Sequence, residues 1–227
     1  MTFSLLALAI APGIAICLYI YFKDKHEKEP VKLLVISFIF GILSVIPALI
    51  LSLIGSEIIG FEAQSTNFLF SLISCVVGIG LVEEFSKYIF VRYYTYKKDD
   101  FNEPFDGIVY CVMVSMGFAT FENIIYVYQG GETVAWLRMF SAVPMHAVFA
   151  IIMGYYMGIQ KFYGKRKYAL IGLGYAALLH GIYDFVLFNP DIPLWLQIVG
   201  FFACIIFGLV VARKSIKRHQ ENSPFKT

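Results

Sequence analysis

Seven apolar stretches of about 20 residues, each bounded by charged or turn residues, constrain this chain more than any other feature. They lie near residues 3–22, 33–54, 67–92, 105–128, 134–160, 168–188 and 192–212. A helix rising 1.5 Å per residue needs about 20 apolar residues to cross a hydrocarbon core of about 30 Å. In such a core the backbone must satisfy its own polar groups. The expected fold is therefore all-α, a polytopic membrane bundle of about seven transmembrane helices. Short connections such as Gly130-Gly131-Glu132 and Asn189-Pro190-Asp191 make neighbouring helices antiparallel, so residues 1–227 read as one membrane-embedded domain without an internal repeat. Composition agrees: 59% of residues are hydrophobic and only 15% charged, which excludes a soluble enzyme and a disordered chain. A net charge of +2 leaves no footprint for a nucleic acid, so the lipid bilayer is the expected partner and nucleic acid is not. Cys17, Cys75, Cys111 and Cys204 stand singly in apolar runs, as small packing residues do.

The first run has no Lys or Arg before it and no small-residue cleavage site after it, so it is expected to remain as a span. Orientation follows from the basic residues. Lys23, Lys25, Lys28 and Lys32 follow the first run, Arg92, Lys97 and Lys98 the third, and Lys161, Lys165, Arg166 and Lys167 the fifth. Arg213, Lys214, Lys217, Arg218 and Lys226 lie in a basic tail, 213–227. Sixteen of the 18 basic residues thus fall on one side, which the positive-inside rule makes cytoplasmic, with the N-terminus outside.

The other two, Lys87 and Arg138, fall within or beside the spans, as do Glu83, Glu84, Glu122, Asp184, His146 and His180. Four carboxylates and one lysine left unpaired at mid-bilayer would cost about 12–17 kcal/mol, so they must pair or line a wet cavity. Counting 1.5 Å per residue from the basic helix ends, Glu83 rises roughly 22 Å, Glu122 roughly 27 Å, His146 roughly 22 Å and His180 roughly 20 Å. Four helices bring polar groups to one layer, nearer the outer leaflet. Glu83 and Lys87 are spaced i,i+4 and Glu84 and Lys87 i,i+3, so the ammonium reaches both carboxylates but holds one better. His180 and Asp184 share a helix face, where a carboxylate can orient an imidazole. Arg138 is expected to snorkel to the outer interface, and Asp106, after Pro104, to serve as a helix cap. Gly107 and Gly117, with Gly154 and Gly158, are expected to allow close helix approach. His146 follows Pro144 by two residues, where a helix can kink, so a packing or capping role competes with a site role.

Val82-Glu83-Glu84-Phe85-Ser86-Lys87 forms an EExxK motif, and Gly117-Phe118-Ala119-Thr120-Phe121-Glu122-Asn123 follows Phe105-Asp106-Gly107. Pro144-Met145-His146 and His180-Gly181-Ile182-Tyr183-Asp184 complete four motifs on successive spans, within residues 80–185. In this the chain resembles the PrsW family of bacterial intramembrane proteases, distant relatives of the type II CAAX prenyl endopeptidases. The resemblance implies a glutamate-dependent peptidase of the bacterial cell membrane that cuts a membrane-anchored anti-sigma factor outside the cytoplasm. It implies Glu83 as the base activating water and Glu84 as its partner. Glu122 falls where the CAAX enzymes hold water with a His, and His180 with Asp184 where they use a His and an Asn for the oxyanion. An ionised Asp184 cannot donate a hydrogen bond, so it must be protonated or orient His180, and His146 can share these duties.

The expected catalytic set is Glu83, Glu84, Glu122, His146, His180 and Asp184, supported by Lys87, with no cofactor. Three other readings compete. Glu122, His146 and His180 could hold a zinc ion; carboxylates and histidines in a bundle also build proton- or cation-coupled transporters, although broken helices and repeats are not seen in the sequence; and a non-catalytic scaffold leaves the polar layer unexplained.

Overall fold

The structure, a computed structural model, describes residues 2–164 and 167–226; Lys165 and Arg166 of the basic set lie outside them. Nine α-helices are found among the described residues, and no strand: α1 Phe3–Lys23, α2 Val31–Leu43, α3 Val45–Ile54, α4 Phe68–Ile73, α5 Val82–Tyr93, α6 Asp106–Phe140, α7 Ala142–Tyr163, α8 Tyr168–Phe188 and α9 Leu194–Glu221. Grouped where they run on, they make six stretches long and apolar enough to cross a membrane. Local chemistry sets several ends. Asn67 caps α4 by accepting from the Phe70 N–H at 3.0 Å. The α2–α3 break falls at Ser44, three residues before Pro47, whose missing N–H is harmless in a first turn. The last helix continues to Glu221, so most of the basic tail is helical.

The fourth apolar stretch, Asp106–Tyr163, is not one rod. Gly131 reverses the backbone at φ 66°, ψ −153°, and Ser141 breaks it again at φ −123°, ψ −84°. Residues 106–130 and α7 then lie side by side, where Ser115 Oγ donates to the His146 carbonyl at 2.9 Å. A Cβ on Gly107 would stand 2.4 Å from the Gly154 carbonyl oxygen, and one on Gly158 would stand 2.3 Å from that of Pro104. Such contact between backbones needs glycine on both helices, as expected for this pair of spans. The expected fifth span of 134–160 needs correction. The crossing helix is α7, while residues 132–140 form a separate short helix between two breaks. Pro144 sits in the first turn of α7, where it starts the helix instead of kinking it.

Long-range contacts show that successive crossings alternate in direction. At the basic end Lys161 Nζ donates to the Tyr96 carbonyl at 2.9 Å, and Gln220 Nε2 donates to the Lys23 carbonyl. At the opposite end Asn123 Nδ2 donates to the Ala9 carbonyl at 2.9 Å, and Asn189 Nδ2 reaches Ser71 Oγ at 3.0 Å. The first arm of α6 is central, buried without interruption from Asp106 to Thr120 and packed by α1, α2, α5 and α7. Outer faces carry Leu49, Leu53, Val199, Ile206 and Phe207 exposed, an apolar surface suited to lipid. All four cysteines are free, three buried and Cys17 half-buried.

Asp106 is the first residue of α6, and its Oδ2 accepts from the N–H groups of Asn102 and Glu103 at 2.6 and 2.7 Å. It caps the loop that enters the helix rather than the helix itself. This loop and the one after α1 bring Asp24, Glu29, Glu103 and Asp106 together, all buried.

Candidate active site

Between α4 and α5 the chain winds as a π-helix, Ser74–Leu81, which widens the third apolar stretch just ahead of Glu83. This segment lies against α8 so closely that a Cβ on Gly80 would stand 2.4 Å from the Ala177 carbonyl, and one on Gly181 would stand 2.3 Å from Val76 Cα. Glycine at these two crossing points is what lets His180, next to Gly181, reach the first turn of α5.

Lys87 is the hub of the polar layer. Its buried Nζ donates to Glu84 Oε1 at 2.7 Å and to Glu83 Oε2 at 3.4 Å, the unequal pair that the i,i+3 and i,i+4 spacing allows. The third donor points to His146 Nδ1 at 3.1 Å, and the ammonium lies over the Phe118 ring at 4.1 Å. Since an ammonium only donates, Nδ1 of His146 accepts, and the ring's proton sits on Nε2. That Nε2–H meets Glu122 Oε2 at 3.1 Å.

Glu84 also organises the other imidazole. Its Oε1 accepts from His180 Nδ1 at 3.0 Å, leaving Nε2 3.4 Å from Asp184 Oδ2 and 3.9 Å from Glu83 Oε2. The expected orienting role of Asp184 is thus shared, and the shorter contact belongs to Glu84. Phe149 stacks on His180 at 4.6 Å between centroids, fixing the ring plane, and the two imidazoles stand at 90° with centroids 5.1 Å apart.

Arg138 departs from the expectation of snorkelling. Its Nη2 donates to Glu122 Oε2 at 2.5 Å and its Nε to Asn123 Oδ1 at 2.9 Å, with the guanidinium over Tyr126 at 4.0 Å. The reason is the backbone reversal at Gly131, which turns residues 132–140 back toward the end of the first arm. Sequence reasoning passed over Arg138 and Asn123 as site residues. The signal was present, because Arg138 is the only Lys or Arg between Lys98 and Lys161.

All six expected residues, from α5, α6, α7 and α8, are therefore brought into one connected cluster, with Lys87 at its centre. Five of them, Glu83, Glu122, His146, His180 and Asp184, line a cavity of about 280 Å³ with Arg138, Tyr126 and Phe149, while Glu84 and Lys87 lie behind it, fully buried. Four carboxylates face the two permanent cations Lys87 and Arg138, with two imidazoles between them. One ligand atom each from Glu83, His146 and His180 lie within 4.8 Å of one another, a spacing that could hold a metal ion. This trio has Glu83 where the sequence reading placed Glu122, because Glu122 is turned toward Arg138. The arrangement offers a carboxylate base, a donor imidazole and a confined volume for a reacting carbonyl.

Comparison with known proteins bears on what such a site does. A family model described as "PrsW family intramembrane metalloprotease" matches residues 29–212. A curated "Protease PrsW" of Geobacillus kaustophilus (strain HTA426) is 34% identical over 232 residues, covering 99% of each chain. Proteins of the same name from Bacillus subtilis (strain 168) and Oceanobacillus iheyensis are 34% and 36% identical, covering 94% and 97% of this chain and 96% and 98% of their own. No solved structure matches.

Proposed function

This chain belongs to the PrsW family of intramembrane proteases and is a membrane peptidase, and from that premise we propose that it cuts a membrane-anchored protein near its extracytoplasmic side with a water activated by Glu83. The observation that carries this reading is the convergence of Glu83, Glu122, His146 and His180, from four helices, on one cavity. The substrate is an anti-sigma factor, cut in the first step of regulated proteolysis in the bacterial cytoplasmic membrane. The chain crosses seven times, counting the two arms of Asp106–Tyr163 separately. The end carrying Lys23, Lys98 and Lys161 is cytoplasmic by the positive-inside rule, so the cavity opens nearer the outer leaflet.

Glu83 takes a proton from water as the oxygen attacks the scissile carbonyl carbon, and then passes it to the leaving amine. Glu122, gripped by Arg138 and by the Nε2–H of His146, holds that water in place. His180, anchored by Glu84 at Nδ1, presents Nε2 to the cavity and as an imidazolium donates to the oxyanion. Lys87 keeps Glu84 anionic and in place, and no covalent intermediate is required.

A second reading is favoured by the donor trio and by the family description. A carboxylate and two imidazoles suit a catalytic zinc ion, and Glu84 behind His180 is the usual orienting partner of a metal-bound histidine. Glu83, His146 and His180 would hold the ion, which would supply Lewis acidity toward water and carbonyl. Lys87 at His146 Nδ1 works against that set, because the ammonium leaves the ring proton on the cavity-facing nitrogen.

Purified wild type and Glu83→Gln, incubated in bilayers with membrane-anchored anti-sigma-factor peptides, decide the matter by product mass. Wild type is expected to cut, and Glu83→Gln to remain folded while losing about 10²–10⁴-fold in rate. A Glu83→Gln protein that cuts at the wild-type rate removes Glu83 from the mechanism. One zinc per chain, with activity abolished by chelator and restored by zinc, replaces the metal-free reading by the second one.

A further inference from the structure

Residues 132–140 are joined to the bundle through two backbone breaks. Gly131 adopts a positive φ with nothing within 4 Å of where a Cβ would stand, so its backbone angles, and not close approach of a neighbour, call for glycine at this break. Ser141 ends the segment with non-helical angles. One side of this short helix, Val134, Leu137 and Arg138, lines the cavity, while Trp136 and Phe140 are exposed. Ala135 is buried, packed with Ala9 and Val127.

The polar link from this segment to the site is Arg138. One face of α6, Glu122, Asn123 and Tyr126, receives its guanidinium from three directions. Asn123 is itself tied to α1 through the Ala9 carbonyl, so this receptor is rigid. From Arg138 the contacts continue without a gap through Glu122 Oε2, His146 Nε2, His146 Nδ1 and Lys87 Nζ to Glu83 and Glu84. Arg138 ends that chain, and it alone is carried by an element with a break at each end. If the segment swings away, Glu122 keeps only His146 as a donor and loses its fixed orientation.

We propose that Arg138 is a positioning residue for the hydrolysis described above, on which this inference rests, and that the hinged segment 132–140 completes the site by latching Arg138 onto Glu122. Its planar fork serves Glu122 and Asn123 at once through two different nitrogens, which a lysine cannot do. The latch acts on rate and not on substrate affinity, because it fixes Glu122 and His146 without being the base.

The test uses full-length protein in nanodiscs and single-span anti-sigma-factor peptides, with Glu83→Gln as the inactive reference. Arg138→Gln is expected to lower kcat at least tenfold with KM within about twofold, and Arg138→Lys to recover part of that loss. Hydrogen exchange of residues 132–141 is expected to quicken at least tenfold in both Arg138→Gln and Glu122→Gln. Unchanged kcat in Arg138→Gln, beside a cleaving wild type and an inactive Glu83→Gln, overturns the positioning role alone. Unchanged exchange in both variants overturns the latch. A wild type that cuts no peptide overturns the hydrolytic reading and the positioning role with it, while exchange still reports whether the segment is latched.

Discussion

Two clusters of buried carboxylates sit toward opposite ends of the same central helix. Sixteen residues of α6, about 24 Å, separate Asp106 from Glu122. Around Glu122 the acids are matched by bases: Lys87 and Arg138 supply charge, two imidazoles supply further donors, and of the four carboxylates only Glu84 leaves a buried oxygen, Oε2, without a donor. Around Asp106 they are not. Both oxygens of Asp24 and one each of Glu27, Glu29, Glu103 and Asp106 are buried without a donor. Lys28 spends its ammonium on the backbone carbonyls of Tyr21 and Asp24, and Tyr110 donates its hydroxyl to Glu29.

The two clusters solve one problem differently. A carboxylate taken from water must meet a cation or keep its proton. Near Glu83 cations are present, so anionic groups can be held in fixed geometry, which a hydrolytic site needs. At the basic end, burial pushes the Asp24 carboxyl up to about 7, with Glu103 adding to it, and burial likewise raises Glu29 and Glu103.

The sharpest way to break this contrast is Lys87→Ala. It leaves Glu84 buried without its cation and is expected to cost about 3–5 kcal/mol, read as a lower thermal midpoint in micelles. A midpoint within a degree of wild type would mean that the site carboxylates are not held by charge pairing. Next comes Tyr110→Phe, which strips Glu29 of its hydroxyl donor and is expected to cost about 1–3 kcal/mol by the same measurement.

The smallest effect has the opposite sign. Asp24 ionises near 7 in the folded protein, against its ordinary 3.8. Between those values the folded state binds more protons than the unfolded one, so this carboxyl lowers stability as pH rises through the window, and the penalty is constant above it. Asp24→Asn is therefore expected to be close to neutral at pH 4 and stabilising by about 1 kcal/mol at pH 8, flattening the pH profile of the midpoint. A stabilisation equal at both pH values would show that Asp24 does not hold a proton there.

How far the site was legible follows from distance along the chain. Lys87 reaching both glutamates is a property of one helix turn, so spacing alone anticipated it. Likewise the depth count from the basic helix ends anticipated that α5, α6, α7 and α8 would offer polar groups to one layer. Arg138 was misjudged because its partner lies sixteen residues back across a reversal that depends on a single φ at Gly131. Glu84 as the nearer holder of His180 depends on how closely α8 sits on the π-helical turn. The acidic cluster was missed apart from Asp106, since Asp24, Glu29 and Glu103 fall in loops, where no periodicity says which way a side chain turns.

By itself the sequence determined an all-helical membrane chain, the side on which its basic residues gather and the residues that had to find polar company. Each of these rests on composition or helical period, which act over one span at a time. Which carboxylate holds which imidazole, which arginine closes the cavity and which acids keep their protons were decided only by the tertiary structure. Those choices depend on angstrom-scale approaches between helices far apart in the chain, set by glycine contacts and backbone breaks.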